Sequence, residues 1–245
     1  MTDIASRLAQ VREQMAEAAL RAGRRPSDVS LVAVSKTFPI DAVREAYAAG
    51  QRLFGENKVQ ELLQKADAGR DMADVEWHLI GHLQSNKARK AAAAAHVIHV
   101  VDSVDLLQRI DRAAGEAGRQ VQVLLQVDLA LEATKFGATV DEVPSLVQAA
   151  RACIAAHLCG LMLIPPAVDD PEHARPWFRQ LRELRDRLLD EGMPPDLLRH
   201  LSMGMSHDFS VAIEEGATLV RVGSAIFGAR SYAVSAGAGD SPVTG

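Results

Sequence analysis

The apolar run Val29 to Val34 stops at a lysine. The stretch reads Leu31-Val32-Ala33-Val34-Ser35-Lys36-Thr37, and Thr37 and Pro39 then supply turn chemistry. An ammonium at the end of a buried strand must be paired, left at a water-filled mouth, or used, because burying it unpaired is costly. Two chemistries suit it. One is an ion pair with a neighbouring acid; the other is an amine that forms a Schiff base with a carbonyl.

Two stretches near the other end of the chain bear on that choice. Leu201-Ser202-Met203-Gly204-Met205-Ser206-His207-Asp208 lies between an expected strand and an expected helix. Gly204 permits close backbone approach, Ser206 offers a hydroxyl, and the first N–H groups of the helix point back toward the loop, which is how an anion site is built. An ordinary helix cap by Ser206 or Asp208 reads equally well. A carboxylate at Asp208 would repel a phosphate unless it faces away. Leu219-Val220-Arg221-Val222-Gly223-Ser224-Ala225-Ile226-Phe227-Gly228 repeats the pattern, a strand ending in a small, N–H-rich turn. Arg221 has apolar neighbours on both sides, so it points inward and needs an acceptor: a phosphate, a carboxylate or a ring nitrogen. A lysine at one strand end and an anion cradle at two others suit a phosphorylated carbonyl compound. Pyridoxal phosphate and the sugar phosphate of a Schiff-base aldolase both qualify. Arg221 favours the former, since a permanently charged arginine facing the pyridine nitrogen would keep it unprotonated.

The elements that must hold these residues alternate. A helix over 3–22 precedes strand 29–34 and helix 40–49. Then come strand 52–55 and helix 57–68, with Asn57 and Gln60 as a capping box; strand 75–80 and helix 85–95; strand 97–101 and helix 103–117. Strand 121–127 and helix 140–153 follow, with Thr139 and Glu142 as a second box. Strand 158–164 leads to helix 172–191, whose apolar stripe is Trp177, Leu181, Leu184 and Leu188. Strand 199–203 with helix 208–215, and strand 218–222 with a turn over 224–229, complete the series. About eight strand–helix units predict a (β/α)8 barrel of the TIM type with an additional N-terminal helix, with chemistry at the carboxyl ends of the strands and phosphate at the last two. The competing architecture is an open doubly wound sheet, whose glycine-rich first turn is absent. Residues 1–230 read as a single domain, and Ser231 to Gly245, small and polar, as a disordered tail.

Bulk properties narrow the function. The chain has 245 residues, 48% of them apolar but only 4% aromatic, so its core is aliphatic. Net charge is 27 − 32 = −5, which argues against nucleic acid or an anionic membrane as the main partner. Cys153 and Cys159 lack the spacing of a disulfide framework or zinc site. The eight histidines show no metal-ligand pattern, with His78 and His82 flanking a strand end. Met1 to Leu20 is charged throughout, unlike a signal peptide, and no apolar run is long enough to span a bilayer, so a cytoplasmic protein is expected.

Five motifs carry a resemblance: Ala33-Val34-Ser35-Lys36, Phe54-Gly55-Glu56-Asn57-Lys58-Val59-Gln60-Glu61, Trp77-His78-Leu79-Ile80-Gly81-His82-Leu83-Gln84-Ser85-Asn86-Lys87, Ser202-Met203-Gly204-Met205-Ser206, and Arg221-Val222-Gly223-Ser224-Ala225-Ile226-Phe227-Gly228. In order and spacing they resemble the pyridoxal phosphate homeostasis protein family, which is similar to the barrel domain of alanine racemase without its C-terminal β domain. The resemblance runs from about residue 4 to 230. It implies a barrel holding pyridoxal phosphate as an aldimine on Lys36, phosphate contacts from Met205, Ser206, Gly223 and Ser224, Arg221 facing the pyridine nitrogen, and Asn57 and His82 near the ring or mouth. Many relatives carry a second lysine two residues after the first; here that position is Phe38.

A racemase needs a base on each face of the substrate carbon. The tyrosine that supplies the second base in alanine racemase has no counterpart here, since Tyr47 falls in the first barrel helix and Tyr232 in the tail. The expectation is therefore a non-catalytic, monomeric carrier that keeps free aldehyde low and passes pyridoxal phosphate to apoenzymes. The alternatives are a pyridoxal-phosphate-dependent racemase or other weak enzyme using Lys36, alone or with His82, and a Schiff-base aldolase. Glu56, at the end of strand 2, is expected to pair with Lys36 or another mouth lysine.

Overall fold

The computed structural model describes residues 3–130 and 136–228. Eight parallel strands close into a barrel in chain order: β1 (Ser30–Val34), β2 (Leu53–Glu56), β3 (Glu76–Leu79), β4 (Val97–Val101), β5 (Val121–Gln126), β6 (Ala156–Met162), β7 (His200–Met205) and β8 (Leu219–Val222), with β8 pairing back onto β1. This is the (β/α)8 barrel expected. Helices α2 (Ile40–Ala48), α3 (Val59–Ala68), α4 (Ala88–Ala94), α5 (Val104–Glu116), α6 (Val143–Ala150), α7 (Arg175–Asp190), α8 (Phe209–Glu214) and α9 (Ser224–Phe227) follow the strands in turn. The strand sequences are nearly continuous apolar runs because both faces are covered, one by helices and one by the barrel interior.

The additional helix α1 (Ile4–Arg21) begins at Asp3, whose carboxylate accepts from Ser6 N–H at 2.6 Å. Its buried stripe of Ile4, Leu8, Val11, Met15, Ala18 and Ala19 packs on α8, α9 and α2. Arg12 donates to the Ala49 and Gly50 carbonyls, and Arg24 to that of Ile213, so α1 staples the outside of the barrel where β8 meets β1.

Period-2 alternation sorts each strand. Leu31 and Ala33 face the helices as part of one continuous apolar layer. Val32 lies beside Arg221 in the β1–β8 register, and Gly55 beside His78 in the β2–β3 register, so these point inward. The interior is thus partly polar, and its polar groups must bond to one another.

Several local expectations are corrected. Helix α3 starts at Val59 with Lys58 at its cap and no side-chain cap bond, so Asn57 and Gln60 form no capping box. Asn57 is instead drawn beneath Gly81: a Cβ at Gly81 would lie 2.4 Å from the Asn57 carbonyl oxygen. Half of the second box exists, with Glu142 accepting from Thr139 N–H at 2.8 Å, but helix α6 begins only at Val143. On α7 the buried position belongs to Phe178, with Trp177 half-buried beside it. Strand β6 starts at Ala156, two residues before the expected strand. The tail over 231–245, with Tyr232, lies outside the described residues.

Candidate functional site

A cavity of about 300 Å³ opens at the carboxyl ends of the strands, at the lower end of the usual size for a small-molecule site. Lys36, Asn57, Met205, Ser206, Arg221, Gly223 and Ser224 line it. Seven of the eight residues singled out from the sequence therefore meet at one place. The exception is His82, which is exposed and stacks on Phe136 with ring centroids 3.5 Å apart, outside the cavity lining. Strand β3 ends at Leu79, three residues earlier, and His82 lies beyond the cavity lining.

Lys36 sits half-buried on the turn after β1. The next residue, Thr37, has φ 70°, the only non-glycine positive φ among the described residues. A β-branched residue there is a genuine outlier costing on the order of 1–3 kcal/mol, and it persists only where its surroundings enforce it. Phe38 lines the cavity and packs its ring against Phe227, centroids 5.3 Å apart. The position where many relatives have a lysine is thus an apolar wall.

Glu56 ends β2 and is fully buried. Its Oε1 accepts from Lys65 Nζ at 2.7 Å and from Ser35 Oγ at 2.6 Å. Its partner lysine is therefore Lys65 of α3, a residue that sequence reasoning missed. Burial pushes the Glu56 carboxyl above its ordinary range, and Lys65 and Ser35 partly offset this.

Arg221 projects from β8 into the floor of the cavity. Nη1 donates to Ser202 Oγ at 2.7 Å and Nη2 to the Leu163 carbonyl at 2.9 Å. Behind Ser202 the interior continues as a hydrogen-bonded chain: Ser202 Oγ to His99 Nδ1 at 2.9 Å, and His99 Nε2 to His78 Nδ1 at 2.8 Å. An arginine only donates, so Ser202 accepts from it and can pass its hydroxyl proton to His99 Nδ1, His99 then donating from Nε2 to His78. His78 Nε2 ends the chain with no partner among the described residues. Burial pushes His78 down to about 3, and His99 well below its ordinary value with His78 and Arg221 as further causes. Both rings are neutral at pH 7. Burial also lowers Arg221 to about 10, so it alone in this chain stays charged.

The opposite wall is made by the β7 and β8 loops. Gly223 N–H donates to Ser206 Oγ at 3.1 Å, tying the two loops together. A Cβ at Gly223 would sit 3.0 Å from the Val34 carbonyl oxygen, so only glycine leaves this corner open. At Gly204, φ 92° and a Cβ position 2.6 Å from the Ala212 Cβ explain why the turn into α8 needs glycine. Asp208 turns back into its own loop, its Oδ1 accepting from Met205 N–H at 2.6 Å. Asp208 is not among the lining residues, and the Met205 N–H is already engaged. Met205 enters the lining beside Ser206, its own N–H committed to the turn.

The residues missed by sequence had faint signals. His99 interrupts the apolar run of β4, and Lys65 falls in helical step with buried Val59 and Leu62. Ile80 and Ile164 add apolar walls at strand ends.

A closed (β/α)8 barrel with a lysine after β1 and an anion cradle at β7 and β8 matches the family described as the alanine racemase N-terminal domain over residues 7–231, and the chain belongs to it. Within that class it groups with the pyridoxal phosphate homeostasis proteins. It is 43% identical over 226 residues to the one from Aquifex aeolicus, covering 92% of this chain and 98% of that one. It is 39% identical over 234 residues to the one from Escherichia coli K12, covering 95% and 99%. Among solved structures it is similar to PipY of Synechococcus elongatus with pyridoxal phosphate bound, at 43% identity and TM-score 0.78 over 92% of this chain and all of that one. Alanine racemase of Clostridium difficile, at 14% identity and TM-score 0.66, shares the fold over 83% of this chain and 53% of its own.

Proposed function

We propose that this chain binds pyridoxal 5'-phosphate as a Schiff base on Lys36 and serves in the homeostasis of that cofactor, without turning over amino acids. The observation that carries the reading is the convergence of an amine, a charged guanidinium and a hydroxyl-and-N–H cradle on one cavity. The residues fit the cofactor: a Cβ at Gly223 would crowd Val34 on the cavity wall, and Asp208, bonded to the Met205 N–H, is not among the lining residues. The names of the homeostasis relatives and the bound cofactor in PipY support the same assignment.

When bound, the cofactor supplies an aldehyde that captures amines and a ring that withdraws electrons. This chain's residues set how far that chemistry goes. Lys36, on the cavity wall, would hold the cofactor through its amine. Ser206, whose oxygen already accepts from Gly223, offers its hydroxyl proton to the phosphate, with Ser224 alongside. Arg221, held by Ser202 and Leu163, would face the pyridine nitrogen and, as a permanent donor, would keep it unprotonated and the electron sink weak. Asn57 and the apolar side chains of Phe38, Ile80 and Ile164 border the ring. His82, on the outer rim against Phe136, is left out of this role.

Tyr47, the tyrosine among the described residues, bonds Asp74 at the opposite end of the barrel and takes no part in the mouth. A carrier that yields its cofactor to apoenzymes in the cytoplasm, acting as a monomer, suits such a site better than a racemase. Among the described residues no helix is long and apolar enough to cross a membrane.

The test is to load the purified protein with pyridoxal phosphate and incubate it with a panel of L- and D-amino acids. The expected result is a yellow protein that bleaches on borohydride reduction and neither racemises nor consumes any amino acid. Turnover of one amino acid would establish an enzyme instead. Replacing Arg221 by Glu is expected to shift the absorption maximum of the loaded protein, and an unchanged spectrum would place Arg221 away from the ring.

A further inference from the structure

Lys36 stands on a turn that is gripped from both sides by one helix. On its N-terminal flank, Lys65 Nζ donates to the Ser35 carbonyl at 2.7 Å. On its C-terminal flank, Thr37 N–H donates to Glu61 Oε1 at 2.5 Å. Glu61 and Lys65 are four residues apart on α3, hence on the same helix face, and they bond each other at 3.1 Å. The third donor of the Lys65 ammonium goes to Glu56 at the end of β2. All three protons of this ammonium are used, and the lysine itself is 6% exposed.

An exposed i,i+4 ion pair contributes little to stability. This one is different because one carboxylate oxygen and one ammonium together bracket the two peptide groups around Lys36. Between them lies the positive φ of Thr37, which reverses the chain where β1 hands over to the mouth. The turn is closed by its own bond, from Phe38 N–H to the Ser35 carbonyl at 3.0 Å, and the α3 pair adds two more on either side of Lys36. The α3 pair supplies the surroundings that enforce the strained turn.

We infer that Glu61 and Lys65 are positioning residues for Lys36: the α3 pair clamps the Ser35–Thr37 backbone in its left-handed turn, so that the Lys36 amine is presented to the cofactor's aldehyde. This rests on Lys36 being the point of cofactor attachment, as proposed above.

Four proteins test it: wild type, Glu61→Ala, Glu61→Gln, and Glu61→Ala combined with Thr37→Asn. Glutamine keeps an acceptor oxygen for Thr37 N–H, and asparagine adopts positive φ readily without a clamp. Two quantities are read. The first needs no cofactor: backbone hydrogen exchange of residues 35–38 compared with the barrel strands, in the cofactor-free protein. The second is the rate of growth of the Schiff-base absorbance after adding pyridoxal phosphate. Glu61→Ala is expected to raise exchange in the turn and slow Schiff-base formation by about tenfold each, the factor that backbone strain of this kind corresponds to. Exchange in β1 and β2 stays as in wild type. Glu61→Gln restores most of both, and Thr37→Asn in the alanine background restores the Schiff-base rate. As a second route, Lys65→Met together with Glu56→Gln leaves no buried charge unpaired and is expected to slow Schiff-base formation in the same way.

The inference is overturned if Glu61→Ala raises exchange evenly across the barrel while the Schiff-base rate is unchanged, which is what a merely structural ion pair would do. It is equally overturned if Thr37→Asn fails to rescue. A wild-type protein that forms no Schiff base, yet loses protection at 35–38 on Glu61→Ala, would overturn the cofactor reading alone.

Discussion

The two ends of the barrel are built from the same eight strands and treat polar groups in opposite ways. At the amino ends, polar side chains close on partners and stay there. Asp111 Oδ1 accepts from three consecutive backbone N–H groups, of Ile154, Ala155 and Ala156, at 2.7–2.9 Å, and so pins the turn that feeds β6. Arg44 bonds Asp71, Tyr47 bonds Asp74, and Arg52 joins Asp74 while stacking over the Tyr47 ring at 4.2 Å. At the carboxyl ends the groups are held but not used up. Arg221 is anchored through Ser202 and Leu163 and still faces the cavity, and Ser206 accepts from Gly223 and keeps its own proton. The division follows the usual one in such barrels, with stability at the bottom and chemistry at the top. Here it can be traced to particular atoms: at the bottom each polar group is spent on its partners, while at the top Arg221 and Ser206 retain donor protons beyond the atoms their supports use.

The comparison gives variants that should separate stability from cofactor binding. The largest effect is expected at the bottom. Asp111→Ala orphans three N–H groups and should cost about 3 kcal/mol in chemical denaturation, with an unchanged cofactor stoichiometry per folded molecule. Loss of cofactor binding in that folded protein would break the division. Ser202→Ala reaches both the interior and the site. It leaves Arg221 and His99 short of a partner, should cost about 2 kcal/mol, and should shift the absorbance of bound cofactor through Arg221. A pure stability loss with an unmoved spectrum would confine Ser202 to a structural role.

The interior histidines give a pH dependence. His78 has an ordinary value of 6.5 when unfolded and about 3 when folded, so between these the unfolded chain binds the extra proton. Its contribution is complete above pH 6.5 and is lost as pH falls from there toward 3. Denaturation midpoints at pH 7 and pH 4.5 should therefore differ less in His78→Leu than in wild type. An equal difference would show that His78 is charged, or accessible, in the native barrel. The smallest effect is expected for Tyr47→Phe, which removes one exposed hydroxyl bond at the bottom. It should change stability by less than about 1 kcal/mol and leave the spectrum of bound cofactor untouched.

How much of this was legible in the sequence depends on how local the cause was. The eight strand–helix units were legible because apolar runs and helical stripes are written in neighbouring residues. Lys36 and Arg221 stood out as charges in apolar strands, and Gly223 and Ser224 as a small turn after one. The supports were not legible. The pairing of His99 with Ser202 spans 103 residues and exists only once the barrel closes. The role of Glu61 and Lys65 exists only once α3 is laid against the turn after β1. Asn57 looked like a helix cap because its sequence context suits one, and the close approach of Gly81 overrode it. His82 was placed at the mouth because it shares a motif with His78, but it lies beyond the cavity lining. Trp177 and Phe178 are adjacent on α7, and a rotation of one residue decides which is buried.

The proposed function stands on Lys36, and no other lysine, carrying the cofactor. The most direct measurement is to add pyridoxal phosphate to the cofactor-free protein, reduce with borohydride, digest, and locate the adduct by peptide mass spectrometry, with Lys36→Ala treated in parallel. The account predicts a single modified peptide containing Lys36 and no adduct in the variant. An adduct on Lys58, Lys65 or Lys87, or a trappable adduct that survives Lys36→Ala, would contradict it.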